Sequence, residues 1–363
     1  MKIYWDTYKT INEFENSIWD NKIALNKPFL SSKFMSVVEK THPNDFFFYF
    51  IAKNETNEII AIGFNYISKL DLLQQYSNNN FIKNIRNLFP AFMKINVGMT
   101  ATWETCGNHL WFDTNYLDYE TFSIHFLKKL NETCKNQTIM VWRDYIEDEN
   151  KIFLTQNKKI GFVNADTISI SKIYLKKEIT EESYIYEIKK KHRNYMKKII
   201  RERNEQKLKI EFIENYLPLL DSVLYPLYSN VNKNAKEYQT SMLPKSFFEN
   251  VKKTWKSNSE ILVVKDDKDT ILAFVLLVKD ENILNPFLIG MDYSKREYNL
   301  WYHCTWESIM YAIKNNLTEI DLGATNFSMK QKLGAVQIKN EISLKFRNKI
   351  MNLLFKKILI NFA

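Results

Sequence analysis

Two stretches of the chain have apolar side chains one helical turn apart, with polar residues between them. Residues 29–41 and 242–254 both show this pattern, which predicts an amphipathic helix in each place. The two segments align at a constant offset of 213 residues and have five identical positions. A repeat of this kind predicts that two halves of the chain share one architecture.

The same order of further elements follows each amphipathic helix. A β-hairpin comes first, with Asn or Asp in its turn, because these residues tolerate the left-handed region and bond their own backbone. A helix and a short strand come next. In the first half these are strands 48–53 and 59–64, helix 116–134 and strand 138–142; in the second they are strands 261–265 and 271–275, helix 303–315 and strand 319–322.

We therefore predict the α/β (α+β) class, with two domains of one topology, each a mixed, largely antiparallel sheet flanked by helices. The domains are expected at 1–170 and 178–345, followed by a basic amphipathic tail at 346–363. The alternative is that Lys-rich helices and hairpins resemble one another by chance. The join near 165–182 is polar and charged rather than rich in Gly and Ser, which favours packed domains over a flexible tether.

Composition excludes several classes of site. The chain of 363 residues has only 7 glycines, and no two of them have the spacing of a Walker loop, a dinucleotide-binding turn or a G-x-S-x-G nucleophile elbow. The 3 cysteines and 5 histidines include neither C-x-x-C nor H-E-x-x-H, so we expect no metal.

The charge balance and the hydropathy pattern indicate the compartment and the partners. The first residues, MKIYWDTYKTINEF, include no apolar core of a signal peptide, and no later segment has about 18 uncharged apolar residues. We therefore expect a cytoplasmic protein. Its net charge of +9 suggests anionic partners.

The densest positive charge lies at residues 189–203. An apolar stripe at helical spacing can pack while Arg193 and Lys197 project outward, where they are candidate contacts to an anionic substrate. The alternative is a solvated surface helix.

Two segments near the C-terminal end of the second half have candidate catalytic chemistry. Lys330 and Lys332 lie in a polar turn between two glycines, where a lysine can stabilise an oxyanion or a phosphate, although an ordinary surface loop has the same composition. A helix beginning near 301–303 follows a strand and can hold a pyrophosphate at its N-terminus. His303 in its first turn is a candidate base, or alternatively a structural histidine.

These segments together resemble the FemAB-like branch of the GNAT acyltransferase superfamily. The resemblance is best over residues 175–340 and rests on KHRNYMKKII at 191–200, KIEF at 209–212, LPKSFF at 243–248, IDLGA at 320–324 and MKQKLG at 329–334. FLSSKF at 29–34 resembles the start of that family's first domain. The chain differs from the family's Q/R-x-x-G-x-G/A loop, because no glycine follows Met291 there.

The resemblance implies two tandem GNAT-like domains, with the C-terminal one catalytic. It implies transfer of an acyl or aminoacyl group from acyl-CoA or aminoacyl-tRNA to the amine of a small molecule or peptide. The lysine of the family's F-K-x-x-F-G segment corresponds to Lys330. The predicted site comprises Lys330 and His303 as catalytic residues, Lys332, Arg296 and Tyr302 for the cofactor, and Arg193, Lys197, Tyr228 and Asn326 for the substrate.

Two alternatives stay open at this point. The chain is alternatively a non-catalytic, GNAT-derived protein that binds nucleic acid or anionic lipid through the 189–203 helix. The tail at 346–363 has one apolar face, which either packs against a domain or makes peripheral membrane contact.

Overall fold

The structure is a computed structural model that describes residues 2–25, 27–71, 87, 89–91, 94–234, 242–324 and 326–353. It divides into two compact units, the first formed by residues 1–167 with 339–363 and the second by residues 168–338. Strand β7 begins in the first unit and ends in the second, whereas strand β13 does the reverse.

The first unit is a mixed sheet with helices. Its strands follow the order β1-β2-β3-β4-β6-β13-β7, with β5 paired to β3, and the pairing of β4 with β6 is parallel. The elements are β1 (Tyr4–Tyr8), α1 (Asn16–Lys22), α2 (Ser32–Thr41), β2 (Phe46–Lys53), β3 (Ile59–Asp71), β4 (Lys94–Met99), β5 (Trp111–Phe112), α3 (Tyr119–Thr133), β6 (Ile139–Ile146), α4 (Glu147–Lys159) and the start of β7 (Val163–Tyr174).

The second unit has a sheet of the same kind, in the order β7-β12-β11-β10-β9-β8, in which only the β11–β12 pairing is parallel. Its further elements are α5 (Glu181–Glu187), α6 (Lys190–Glu205), β8 (Lys209–Ile213), α7 (Tyr225–Asn234), α8 (Lys245–Trp255), β9 (Ser259–Lys265), β10 (Ile271–Asp280), β11 (Ile283–Met291), α9 (Leu300–Lys314), β12 (Glu319–Ala324), α10 (Phe327–Gln331) and the start of β13 (Val336–Phe346). The predicted fold class is confirmed.

The repeated sequence positions have a common structural reason. Phe34 and Val38 of α2 and Phe247 and Val251 of α8 are all 0% exposed, so each identical pair is the buried face of a helix. The hairpin turns also match. Asn54 accepts the backbone N–H groups of residues 56 and 58, and Asp266 accepts those of residues 268 and 270.

The C-terminal strand is divided at Lys339. Residues 339–346 of β13 cluster with the first unit because they pair with β6, from Asn340 opposite Ile146 to Phe346 opposite Ile139. The second compact unit therefore ends at 338, where the sequence predicted a domain that runs to 345. The last part of the predicted tail, 354–363, lies outside the described residues, and Ile350 and Leu353 are 69% and 61% exposed.

Candidate active site

The second unit has an opening between its two parallel strands. Strands β11 and β12 pair at Ile283 with Glu319 and at Leu284 with Ile320, the first two positions of each. Seven further residues of β11 and four of β12 are described, and no register pair joins them. The strands therefore separate towards their C-terminal ends, where ligands commonly bind in α/β sheets.

A proline and a bulge account for this separation. Pro286 is the second residue after the last pair, and its ring nitrogen has no hydrogen to donate to a neighbouring strand. On the other side of β11 the register shifts, because Leu276 faces Leu288 whereas Leu277 faces Pro286, which leaves Phe287 as the extra residue of a bulge. The Phe287 ring packs instead against Phe247 of α8, with ring centroids 5.9 Å apart.

The pattern of exposure shows the opening independently. Strand β10 is buried at seven consecutive positions, as expected of a central strand. Strands β11 and β12 are also internal to the sheet, yet residues 285–289 and 321–324 are all partly exposed. A Cβ atom built on Gly323 meets no atom within 4 Å, so there is open space beside the end of β12.

Helix α7 packs against β11 near the C-terminal end of the strand, at Gly290. A Cβ on Gly290 would come within 2.8 Å of the backbone nitrogen of Tyr228, so only glycine allows this helix to approach the strand so closely. The predicted substrate residue Tyr228 is buried, and its hydroxyl accepts the backbone N–H of Leu243 at 3.3 Å. A π-helical turn, Leu220–Leu224, leads into α7.

A lysine and aromatic rings surround the start of α9. The Lys332 ammonium donates to the Tyr302 hydroxyl at 3.3 Å and lies 5.7 Å from the centre of the Tyr195 ring. The Tyr195 and Tyr302 rings pack edge to face at 5.2 Å. The Asn299 side chain makes no capping hydrogen bond with the N–H groups at the start of α9. The positive end of the helix dipole is therefore not capped by this side chain. The predicted cofactor residues Lys332 and Tyr302 are thus in contact.

Burial sets the electrostatics beside this cluster. Burial, together with the charges of Lys191, Lys332 and Lys189, lowers the pKa of His192. Protonation of this imidazole is disfavoured first by its burial and then by the three ammonium groups near it. An anion at the same place would reduce that repulsion.

Lys330 is 6% exposed, and its ammonium donates to the backbone oxygens of Gly323 at 3.2 Å and Ala324 at 2.6 Å. Its contacts therefore hold the last residues of β12. Asn326, the predicted substrate residue before α10, is exposed and has a left-handed backbone with φ of 48°. Its carbonyl accepts the backbone N–H groups of Met329 and Lys330.

His303 is 2% exposed in α9, where burial and the nearby charge of Arg203 lower its pKa to about 4. The imidazole is therefore neutral at neutral pH and is enclosed by the protein. Arg203 itself pairs with Glu307. The predicted cofactor residue Arg296 is exposed in the segment before α9, with its guanidinium 5.6 Å from the centre of the Tyr293 ring.

The basic helix predicted at 189–203 is α6, and many of its charges have partners within the protein. Arg193 donates to the carbonyls of residues 185, 186 and 188 at the C-terminal end of α5. Arg193 and Lys197 both lie over the Tyr186 ring, at 4.9 and 5.2 Å. Lys198 pairs with Glu202 and Arg201 with Glu205, each one turn along the helix. The positive charge is therefore less available than the sequence indicates.

Sequence reasoning missed Asp321 as a site residue. It is partly exposed on β12, at the first position after the last β11–β12 pair. Its Oδ1 accepts the N–H of Gly323 at 2.8 Å. Burial raises the pKa of this carboxyl, against the opposing charge of Lys172 and the N–H of Gly323. The available signal was an acidic residue between the apolar residues Ile320 and Leu322 of a short strand.

Among the described residues there is no group of three or more His, Cys, Asp and Glu side chains that could hold a metal ion. No helix in the same part of the chain is long and apolar enough to cross a membrane.

Comparison with known proteins gives a family and a fold. The model of the acetyltransferase (GNAT) domain matches residues 190–331. No curated protein matches the sequence significantly. The matching segment includes α6, the β11–β12 opening and α10, so it contains most of the site described above, and Lys332 lies one residue beyond it.

Solved structures agree at the level of the fold. A tandem GNAT protein from the clavulanic acid biosynthesis pathway superposes with a TM-score of 0.58 and 6% identity, over 96% of this chain and 99% of that one. FemX superposes with a TM-score of 0.53 and 11% identity, over 85% and 90%. A GCN5-related glucosamine N-acetyltransferase region of a fungal multi-domain β-N-acetylglucosaminidase gives 0.54 and 9%, over 94% and 38%. Residues 190–331 therefore match the acetyltransferase (GNAT) domain family, which confirms the predicted resemblance to the GNAT superfamily, and the chain shares the fold of FemX and of the tandem GNAT protein.

Proposed function

We propose that this protein is an N-acyltransferase that forms an amide bond between the acyl or aminoacyl group of an activated carrier and the amine of an acceptor. The observation that supports this most directly is the opening between β11 and β12 inside the GNAT domain, at strand positions that an ordinary sheet would close. An opening at the C-terminal ends of parallel strands admits a donor without any glycine-rich loop.

The donor side of the site is proposed at the start of α9. Donors of this reaction class, acyl-CoA and aminoacyl-tRNA, have phosphate groups. The uncapped helix end supplies N–H groups and Lys332 supplies a full charge beside Tyr302, a combination suited to phosphate. Arg296 is proposed as an outer contact, because it is exposed in the segment that leads into the helix.

The acyl end of the donor is proposed to lie in the opening itself. Holding carbonyl and amine in contact accounts for a large part of the rate of such transfers. Lys330 stays a proposed catalytic residue, and its bonds to the carbonyls at 323 and 324 support a role in fixing the end of β12. His303 is likewise a proposal, and its burial supports a packing role beneath the helix start.

The proposed acceptor contacts are Tyr228, Asn326, Arg193 and Lys197. Tyr228 belongs to the helix that packs on β11, and Asn326 precedes α10. Arg193 and Lys197 contact Tyr186, so their effect on an acceptor would come through the arrangement of α5 and α6. The acceptor is proposed to be a small molecule or peptide.

A screen of donors and acceptors tests the proposal. Full-length protein is incubated with acetyl-CoA, longer acyl-CoAs and charged transfer RNAs, together with polyamines, lysine peptides and amino sugars, and amide products are measured by mass spectrometry. We expect product from the wild type and from Lys268→Glu, whose side chain lies in the exposed hairpin turn, and at least tenfold lower kcat/KM from Lys332→Glu.

The contrary result is equally specific. Absence of product and of binding for every donor would remove the enzymatic proposal. Salt-dependent binding of nucleic acid or anionic vesicles by such an inactive protein would favour the non-catalytic alternative instead.

A further inference from the structure

Asp321 has a position that none of the predicted site residues shares. Its neighbours Ile320 and Leu322 pack in the core formed with α9. Side chains alternate along a strand, so Asp321 points to the opposite face of the sheet, away from α9. It is also the first residue of β12 beyond the last pair with β11.

Charged and hydrogen-bonding groups of β7, β12 and α10 lie near the carboxyl. On β7, Lys172 is the direct cross-strand neighbour of Asp321, and the Lys172 ammonium donates to Glu319 at 2.6 Å. Below it, the N–H of Gly323 holds Oδ1 at 2.8 Å. Lys330 of α10 fixes the next two carbonyls of the strand. Strand β11, with the sequence ILNPFLIGM, contributes no ionisable side chain.

We propose that Asp321 is the general base of the acyl transfer. This assignment rests on the function proposed above. The amine arrives as an ammonium ion, and Asp321 removes one of its protons. The nitrogen lone pair then attacks the acyl carbonyl carbon and a C–N bond forms. As the tetrahedral intermediate collapses, the bond from the acyl carbon to the carrier sulfur or oxygen breaks, and the carrier leaves with that electron pair. The leaving carrier also takes the second of the two protons that the acceptor nitrogen loses.

The proton held by Asp321 returns to solvent and completes the cycle. The net change converts an ammonium ion and an acyl carrier to an amide, a free carrier and one proton. A base of this kind needs a carboxyl that is oriented, reachable by the acceptor and more basic than an ordinary aspartate. The hydrogen bond from Gly323 orients it, the partial exposure makes it reachable, and burial raises its pKa despite the charges of Lys172 and Lys330.

The other ionisable groups beside the opening are less suitable. The Lys330 ammonium is bound to two carbonyls and is an acid rather than a base at neutral pH. His303 belongs to α9, whose side chains pack on the other face. Glu319 is on the same face as Asp321 but lies at a paired position, where Lys172 holds its carboxylate.

Two variants and a series of acceptors test the assignment. Asp321→Asn keeps the shape and removes the base, Asp321→Glu restores a carboxylate, and Asp267→Asn in the exposed hairpin turn is the matched control. With a strongly basic alkylamine we expect Asp321→Asn to lose at least about 100-fold in kcat, and with hydroxylamine, which is neutral at pH 7, much less. Asp321→Glu should regain part of the loss, and Asp267→Asn should equal the wild type.

The pH profile gives a readout that a merely structural role would not change. The base acts when deprotonated, so wild-type kcat/KM with the strongly basic alkylamine, which stays an ammonium ion throughout the acidic and neutral range, should rise with pH through the raised pKa of Asp321 and then level off. Asp321→Asn should lose that rising limb. Carbon-13 NMR of labelled aspartate carboxyls should show one signal, missing in Asp321→Asn, that titrates above the ordinary aspartate pKa of 3.8.

The outcomes separate the two proposals. If the wild type makes amide and Asp321→Asn does so within threefold with every acceptor, the base assignment is wrong and the transferase proposal stands. If the Asp321 carboxyl titrates at or below 3.8, the assignment is also wrong. If the wild type transfers no acyl group from any donor, the proposed function fails, and the base assignment fails with it.

Discussion

The two units have the same pair of parallel strands but use them differently. In the first unit β4 ends at Met99, directly after its three pairs with β6, whereas in the second unit β11 continues seven residues beyond its last pair with β12. The chain after Met99 turns back onto the end of β6. In the first unit, the backbone after Met99 therefore occupies the position that corresponds to the β11–β12 opening of the second unit.

Arg143 and Asp144 at the end of β6 hold this filling segment. The Arg143 guanidinium donates to the carbonyl of Thr102 at 3.1 Å, and the Arg143 backbone N–H donates to the Thr100 hydroxyl at 3.1 Å. Asp144 accepts the N–H of Gly107 at 3.0 Å. Thr100, Thr102 and Thr105 are all 0% exposed. Polar side chains that would otherwise line an opening are here satisfied within the fold.

A shared topology therefore does not imply a shared site. Both units separate their parallel strands by a helix, yet only the second has Pro286 and a bulge that direct the strand away from its neighbour. We infer that donor chemistry belongs to the second unit and that the first unit's polar residues serve stability.

The largest effect is expected in the first unit. Arg143→Ala removes the positive partner of Asp144, whose side chain is 4% exposed, and leaves a buried carboxylate with only the N–H of Gly107 to compensate it. We expect the free energy of unfolding to fall by about 3–5 kcal/mol in denaturant titrations. Donor affinity of the folded variant should equal that of the wild type. A stable Arg143→Ala protein, or one with lost donor affinity, would contradict the division of roles.

The next effect compares two glycines of the second unit. Gly290→Ala places a methyl group against the Phe274 ring and the backbone of Tyr228, and should cost about 1–3 kcal/mol in unfolding free energy as α7 is displaced. Gly323→Ala meets no atom, and only its φ of +67° opposes the substitution, at about 1–2 kcal/mol. Thermal unfolding measures both. A larger loss for Gly323→Ala would indicate that the space beside β12 is occupied.

A smaller effect is expected on binding alone. Lys332→Ala removes the charge at the start of α9 and should weaken the Kd for a phosphate-bearing donor about tenfold, or about 1.4 kcal/mol. Its side chain is partly exposed, so stability should change by less than about 1 kcal/mol. Isothermal titration calorimetry with acyl-CoA measures this, with Lys268→Ala as control. Equal affinities for the two variants would move the phosphate site elsewhere.

The smallest effect is a shift in one titration. The charge of Lys332 helps to lower the pKa of His192, so Lys332→Ala should raise that pKa towards the ordinary histidine value. A bound phosphate should raise it in the wild type too, since an anion stabilises the imidazolium. Proton NMR of the imidazole measures both. An unchanged pKa in Lys332→Ala would place His192 away from Lys332.

Much of the fold was predictable because its signals are local. The identical positions of α2 and α8 are buried at helical spacing, and the Asn54 and Asp266 turns bond their own backbone. The division of β13 was not predictable. Residues 339–346 join the first unit through pairing with β6, which lies about 200 residues earlier, and no local pattern encodes such a partner.

The site was predictable in part for the same reason. Lys332 and Tyr302 were both predicted as cofactor residues, and the structure brings them within 3.3 Å. The contacts of Arg193 and Lys330 were not foreseen, because both bind backbone carbonyls that only the folded chain brings near. Pro286 was a readable signal, since proline inside a strand pattern marks an edge or a bulge.

Hydrogen–deuterium exchange of the full-length protein, with and without saturating acetyl-CoA or aminoacyl-tRNA, tests most directly whether the donor occupies the second unit. The account predicts slower exchange at 285–291, 300–305 and 321–324, with no change at 94–107 and 139–145. Slower exchange at 94–107 and 139–145, with none at the β11–β12 opening, would contradict it.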